Sequence, residues 1–283
     1  MEEKRLLVCA VTSDRHSYVI DRWIKNVQEQ IVPKHIKCDV FVIDNSTKMG
    51  EHYYKLHKAG FQVIHVEWDV LKDHFLQMLA KQREIYRWKA VAEGYDYIMN
   101  WDTDIIIPKN GLFNLLKHDK DNVGYVAHVF YKPDERPCVL HSGGIHMDKG
   151  GLDYFTWDEI KEAKGKLIQV YATGLGILLT KRKCFEKVPF RTHPTFIYGE
   201  DLWFFNEAND KGFEFWCDTS VRVKHYNKEW SEVEKRDKSG KKMQLWFGAG
   251  PTDAKVNEYV DRSLAKKGSV KQKYSNKQSS NKH

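Results

Sequence analysis

The apolar positions of this chain fall into short continuous runs separated by longer stretches of helical spacing. The first run, Leu6-Leu7-Val8-Cys9-Ala10-Val11, closes on Thr12-Ser13. A run with no polar alternation that ends in small polar residues predicts a strand buried on both faces, feeding a loop. Residues 17–30 then carry Val19, Ile20, Trp23, Ile24 and Val27 at helical spacing. A second buried strand is predicted over 39–44, closing on Asn45-Ser46-Thr47. A helix over about 50–59 stops at Gly60, and a third strand covers 61–66. A long helix over about 73–93 stops at Gly94, and a fourth strand, 95–101, closes on Asp102-Thr103-Asp104. Strands alternating with helices predict βαβ units and an α/β chain with a mixed, mainly parallel sheet flanked by helices. In such sheets ligands bind at the carboxyl ends of the strands, where Thr12, Ser13, Asp44 and Asp102 all fall.

The second half is less regular. Residues 123–131 and 167–180 contain strand-like runs, and His141-Ser142-Gly143-Gly144-Ile145-His146 between them reads as loop-rich. A helix is predicted over 200–211, with Leu202, Phe204, Phe205 and Ala208 on its apolar face and Gly212 as its stop. A last strand, 213–223, leads to His225. Beyond Asn227 the chain is rich in Lys, Ser and Asn, and disorder is expected from about residue 263. This divides the chain into a body, 1–227, and an extension, 228–283. No internal repeat is visible.

Composition changes the picture in three places. The content of 41% hydrophobic and 30% charged residues is that of a folded globular chain, which excludes a wholly disordered one. No apolar run reaches the roughly 18 residues a membrane-spanning helix needs, and the run after Met1-Glu2-Glu3-Lys4-Arg5 is too short for a signal peptide, so the expected location is cytoplasmic. Five scattered cysteines (Cys9, Cys38, Cys138, Cys184, Cys217) with no CxxC pair argue against a disulfide framework and a structural zinc site. Charge is unevenly placed. From Lys224 to His283 there are 15 Lys and Arg against 7 Asp and Glu, a net +8, so the rest of the chain carries −1 of the total +7. A neutral body with a basic extension fits either a contact with an anionic surface or a solvated terminus.

Four constellations carry candidate chemistry. Asp102-Thr103-Asp104 places two carboxylates just past a buried strand, where charge needs a partner; oxygen ligands of this kind suit Mn²⁺ or Mg²⁺. Taken alone, the same pattern also describes two exposed turn aspartates. Glu200-Asp201 opens a helix, which suits the helix dipole in any case, and also places a carboxylate to take a proton from an attacking hydroxyl. His225 follows the last strand; a lone histidine is more often structural, and a neutral imidazole also completes carboxylate metal sites. Thr173-Gly174-Leu175-Gly176 offers either close backbone approach to a substrate or simple packing. No Walker loop and no GxGxxG is present.

In order and spacing these pieces resemble the GT-A glycosyltransferases, closest to the family 2 group, over roughly residues 6–227. The resemblance rests on Val11-Thr12-Ser13, on Val42-Ile43-Asp44-Asn45-Ser46-Thr47 and on Tyr97-Ile98-Met99-Asn100-Trp101-Asp102-Thr103-Asp104. It continues through Thr173-Gly174-Leu175-Gly176-Ile177-Leu178-Leu179, Tyr198-Gly199-Glu200-Asp201-Leu202-Trp203-Phe204 and Lys211-Gly212-Phe213 to Val221-Arg222-Val223-Lys224-His225. It implies a GT-A-like, Rossmann-type fold acting on a nucleoside-diphosphate sugar. Thr12, Asp44 and Gly174 would line the donor site, with Arg83 or Arg87 on the base or diphosphate. Asp102 would face the donor sugar or ribose and stand beside the metal, which Asp104 and His225 would hold. Asp201 would be the base of an inverting reaction, with Glu200 shaping the acceptor site. The processive members' Gln-x-x-Arg-Trp motif is missing; Gln244-Leu245-Trp246-Phe247-Gly248 is its nearest echo, a lid over the donor or a core patch, and single sugar addition is expected.

The acceptor is expected to be a glycan, a lipid-linked sugar or DNA, the last because a basic extension would aid docking. His141, His146 and Trp157 are acceptor-side candidates by their position in the variable segment. Two other classes compete. A nucleotidyltransferase on sugar phosphates would carry a Gly-rich phosphate loop after the first strand, where this chain has Thr12-Ser13-Asp14-Arg15-His16. A non-catalytic glycan or nucleic-acid binding module with a basic tail would show salt-sensitive binding lost on removing 228–283.

Overall fold

The computed structural model describes residues 3–46, 48–67, 75–127, 136–146, 151–192 and 199–226. The first half alternates as the apolar runs predict. β1 (Lys4–Thr12) is followed by a 3-10 turn at Asp14–Tyr18, α1 (Ile20–Gln28), β2 (Ile36–Asp44), α2 (Glu51–Lys58), β3 (Gln62–His65), α3 (Phe75–Ala92) and β4 (Tyr97–Trp101). The predicted stops at Gly94 and Gly212 adopt φ of +75° and +79°, backbone that glycine enters without strain, and each ends its helix.

The second half adds β5 (Ile105–Ile106), α4 (Gly111–Lys117), β6 (Asn122–Val126), β7 (Val139–His146), β8 (Gly151–Tyr154) and α5 (Trp157–Glu162). It ends with β9 (Leu167–Val170), β10 (Ala172–Thr173), β11 (Ile177–Lys181), α6 (Arg182–Phe185), α7 (Glu200–Asp210), β12 (Phe215–Arg222) and β13 (Lys224–His225). One expectation is corrected here. The loop expected at 141–146 is strand: β7 pairs antiparallel with both β10 and β8, and its register slips between Leu140 and Ile145, across the two glycines. A bulge absorbs the glycines, so local composition misread a segment that its neighbours hold extended. The strand-like stretch 167–180 holds three strands in two sheets, parted at Tyr171 and at 174–176.

The main sheet has the order β3-β2-β1-β4-β11-β6-β12-β9. Six strands run one way, and β11 and β9 oppose them, so the sheet is mixed and mainly parallel. Each face buries its own cluster. Leu7, Cys9 and Val11 of β1 pack with Tyr86, Ala90, Phe204 and Phe205 of α3 and α7. Leu6, Val8 and Ala10 pack with Ile20, Trp23, Leu56 and Leu112 of α1, α2 and α4. The alternation along one strand therefore serves two helix layers. From β1 the chain moves outward through β2 and β3, then returns to place β4 on the other side of β1. That reversal opens a crevice at the carboxyl ends of β1 and β4. Among the described residues no helix is long and apolar enough to cross a membrane. The expected disorder, the Gln244–Gly248 echo and the extension at 228–283 all lie outside the described residues.

Candidate active site

β1 and β2 end side by side, with Thr12 in register with Asp44. The buried Thr12 hydroxyl lies 3.0 Å from His52 Nε2 and 3.1 Å from the Thr103 hydroxyl, so it joins α2 to the segment after β4. Asp44 is completely buried, and both its oxygens are engaged within the chain. Oδ1 accepts from the Ser46 hydroxyl at 2.5 Å and its amide at 3.2 Å; Oδ2 lies 2.8 Å from His65 Nδ1. The β2–β3 register creates this last pair, since Asp44 stands opposite His65. Burial pushes the His52 imidazole down to about 4 and lowers His16 as well.

Asp102 and Asp104 follow β4 and diverge. Asp102 Oδ1 accepts from Arg83 Nη2 at 3.2 Å, and its side chain remains 35% exposed. Asp104 is buried and meets His225: its Oδ2 is 3.2 Å from His225 Nε2. The antiparallel pairing of β13 with β5 makes this contact, because it sets His225 against Ile105, and Tyr226 N–H closes on the Asp104 carbonyl at 2.8 Å. Burial alone would push the Asp104 carboxyl up, but the adjoining His225 and nearby His16 hold it below the usual range.

The two arginines of α3 separate. Arg83 is buried in the site and donates to Glu200, Asp102 and Tyr86. Arg87 turns away: it forks onto Glu84 at 2.6 and 2.7 Å and donates to the Phe185 carbonyl at 2.8 Å, tying α3 to α6. Glu200 and Asp201 open α7. Glu200 is buried, and its Oε1 accepts from Arg83 Nε at 3.0 Å. Asp201 Oδ1 accepts from the Leu202 amide at 2.7 Å. Burial raises both carboxyls, Glu200 to about 7, with Arg83 opposing the rise.

Of the two candidate glycines, Gly176 is the one pressed on the Asp102 carboxylate. A Cβ there would lie 2.8 Å from Asp102 Oδ2 and 2.7 Å from Ile105 Cδ1, and the Gly176 carbonyl accepts from the Asp102 amide at 2.8 Å. Gly174 instead faces Cys138, whose sulfur would be 3.2 Å from an added Cβ. The acceptor-side candidates make contacts of their own: His141 stacks on Phe155 with its Nε2 3.3 Å from Glu159, and Trp157 lies under the Arg222 guanidinium at 3.8 Å. The side chain of His146 is outside the described residues. Sequence reasoning missed His52, His65 and Tyr86. His52 and Leu56 are one turn apart on the buried face of α2, and a polar residue on an apolar face was the available signal.

Among the described residues no group of three His, Cys, Asp or Glu side chains is placed to hold a metal ion. The donors that do converge, a carboxylate oxygen and an imidazole nitrogen 3.2 Å apart, fit a Mn²⁺ or Mg²⁺ that takes its remaining ligands from water and a diphosphate.

No family's sequence profile matches this chain, and no curated protein matches it. Solved structures do. TarS of S. aureus superposes with a TM-score of 0.50 at 13% identity, over 77% of this chain and 36% of that one, so the chain spans about a third of TarS. The mannosyltransferase PcManGT of Pyrobaculum calidifontis, solved with GDP-Man and Mn²⁺, matches with a TM-score of 0.48 at 14% identity, over 89% of this chain and 67% of that one. The fold is of the GT-A glycosyltransferase type.

Proposed function

We propose that this chain is a glycosyltransferase that moves one sugar from a nucleoside-diphosphate sugar to an acceptor hydroxyl, with inversion at the anomeric carbon. The observation that supports this most directly is the meeting, at the carboxyl ends of β1 and β4, of Asp102 with Glu200 through Arg83, beside Asp104 and His225. A donor-facing carboxylate, a proton acceptor and a pair of metal donors are then gathered at one cleft.

In this reading Thr12 and the buried polar residues around it line the nucleotide, and Gly176 lets Asp102 approach the donor hydroxyls. Asp44, clasped by Ser46 and His65, shapes the base pocket. Arg87 braces α3 rather than touching the donor. Asp201 takes the proton from the acceptor hydroxyl as the oxygen attacks the anomeric carbon. The Leu202 amide aims its carboxylate, and burial raises its proton affinity toward working pH, which suits a general base. Glu200 is less suited to that role because Arg83 holds it. Asp104 and His225 would hold Mn²⁺ or Mg²⁺, which supplies positive charge against the departing diphosphate. The basic extension would contact an anionic acceptor or surface, whether glycan, lipid-linked sugar or DNA.

The test is a thermal-shift series of nucleoside diphosphates with Mn²⁺ or with EDTA, followed by transfer and donor-hydrolysis assays. One base is expected to raise the melting temperature, and EDTA to abolish the gain. Asp201→Asn is expected to keep that shift and lose transfer by about 10²–10⁴-fold. If no nucleotide shifts the melt under either condition, the proposal is wrong.

A further inference from the structure

Arg83 makes three different contacts with its three guanidinium nitrogens. Nε donates to Glu200 Oε1 at 3.0 Å, Nη2 to Asp102 Oδ1 at 3.2 Å, and Nη1 to the Tyr86 hydroxyl at 3.0 Å, which donates on to Asn100 Oδ1 at 2.5 Å. The residue is only 5% exposed, and Tyr86 and Asn100 are closed to solvent. One buried cation therefore sits at the junction of β4, α3 and α7. A planar fork with donors in fixed directions can hold such partners at once; a single ammonium on a flexible stem cannot match that geometry.

We propose that Arg83 is a positioning residue that joins the two halves of the cleft, holding the donor-facing Asp102 and the acceptor-side Glu200–Asp201 pair in one register. This rests on the roles given to those carboxylates above. The arrangement has an electrostatic consequence. Glu200 faces Arg83 from α3 and Asp201 from its own helix, while Asp102 from the end of β4 and the Cys138 thiol lie close to Asp201. One guanidinium thus answers three carboxyls. Without it, Glu200 keeps its burial and its carboxylate neighbour and loses the group that favours its charged form, so it should hold its proton to higher pH. Asp102 loses the donor that orients it, and nucleotide-sugar binding should weaken.

The experiment uses the full chain labelled with ¹³C at Glu and Asp carboxyls, as wild type, Arg83→Met and Arg83→Lys. Glu200→Gln assigns the Glu200 resonance. Carboxyl shifts are followed against pH without ligand, circular dichroism reports folding, and kcat and KM for the nucleotide sugar are measured across the same pH range. Arg83→Met is expected to move the Glu200 titration up by about one unit or more. It should also lower kcat about 100-fold at neutral pH, because the donor-facing carboxylate and the base lose their common register. Arg83→Lys keeps charge and loses the fork, so it should leave the Glu200 titration near wild type and raise KM about tenfold.

A folded Arg83→Met chain with the wild-type Glu200 titration overturns the proposal. So does an Arg83→Lys chain with wild-type KM, which covers the case in which the methionine variant does not fold. If wild type turns over no nucleotide sugar, the proposed function fails, while the ligand-free titration still decides the place of Arg83.

Discussion

Replacing Gly176 with alanine tests the geometry of the cleft at its tightest point. Gly176 is not among the glycines with positive φ, so alanine's backbone preferences are no obstacle and the cost is one of contact alone. The new methyl would arrive 2.7 Å from Ile105 Cδ1 and 2.8 Å from Asp102 Oδ2. Ile105 is 2% exposed in a packed cluster, so moving its end forces a poor rotamer or a backbone shift, worth about 1–3 kcal/mol. Asp102 can swing outward because its side chain is 35% exposed, but only by loosening its bond to Arg83; water replaces part of that bond, leaving about 1 kcal/mol. The sum is roughly 2–4 kcal/mol, which for a body of this size lowers the melting temperature by roughly 5–15 °C. Calorimetry and urea unfolding measure the loss, and nucleotide-dependent thermal shift measures the effect on binding. Adding Ile105→Val removes the Cδ1 contact, so the double variant should regain about 1 kcal/mol of stability without regaining nucleotide binding. Gly174→Ala is the control, since its nearest neighbour is the Cys138 sulfur at 3.2 Å, and it should cost under about 1 kcal/mol. A Gly176→Ala chain that melts within a degree of wild type and binds nucleotide equally well would refute the reasoning.

Acid stability should report on His52. Burial holds this imidazole near 4 against a usual 6.5, with Asp44 and Asp14 opposing and His16 and Lys55 reinforcing the drop. Because the unfolded chain takes up the proton first, stability is intact above about 6.5 and is lost as pH falls toward about 4. The loss is up to about 3 kcal/mol for this group. His52→Gln should flatten that part of the stability–pH curve by as much as one proton, and an unchanged slope would exclude His52 as the source. Tyr86→Phe removes the hydroxyl between Arg83 and Asn100 and leaves both buried groups short of a partner. Unfolding should be easier by about 1–3 kcal/mol in denaturant titrations, and a neutral result would mean that water restores the link.

Much of the frame was legible in the sequence because its signals are local. A continuous apolar run must be buried on both faces, so β1, β2 and β4 announced themselves, and the polar residues closing them marked the sheet edge where ligands bind. Gly94 and Gly212 marked helix ends because a left-handed turn disfavours side chains with a Cβ. The segment 141–146 was misread for the converse reason: its two glycines carry no strand signal, and the backbone partners that make it a strand come from β8 and β10.

What the sequence determined by itself is therefore the list of candidate groups: Thr12, Asp44, Asp102 and Asp104 at the ends of β1, β2 and β4, with Glu200, Asp201 and His225 in the second half. Only the tertiary structure decided which of them meet. The β13–β5 pairing delivers His225 to Asp104, and the β2–β3 register locks Asp44 onto His65. The two arginines of α3 lie four positions apart and look interchangeable in the sequence. The packing of α3 against α6 and α7 sends Arg87 to Glu84 and Phe185 and Arg83 to Asp102 and Glu200. Partners separated by scores of residues are chosen by sheet order, register and helix packing, and no periodicity read along the chain contains those choices.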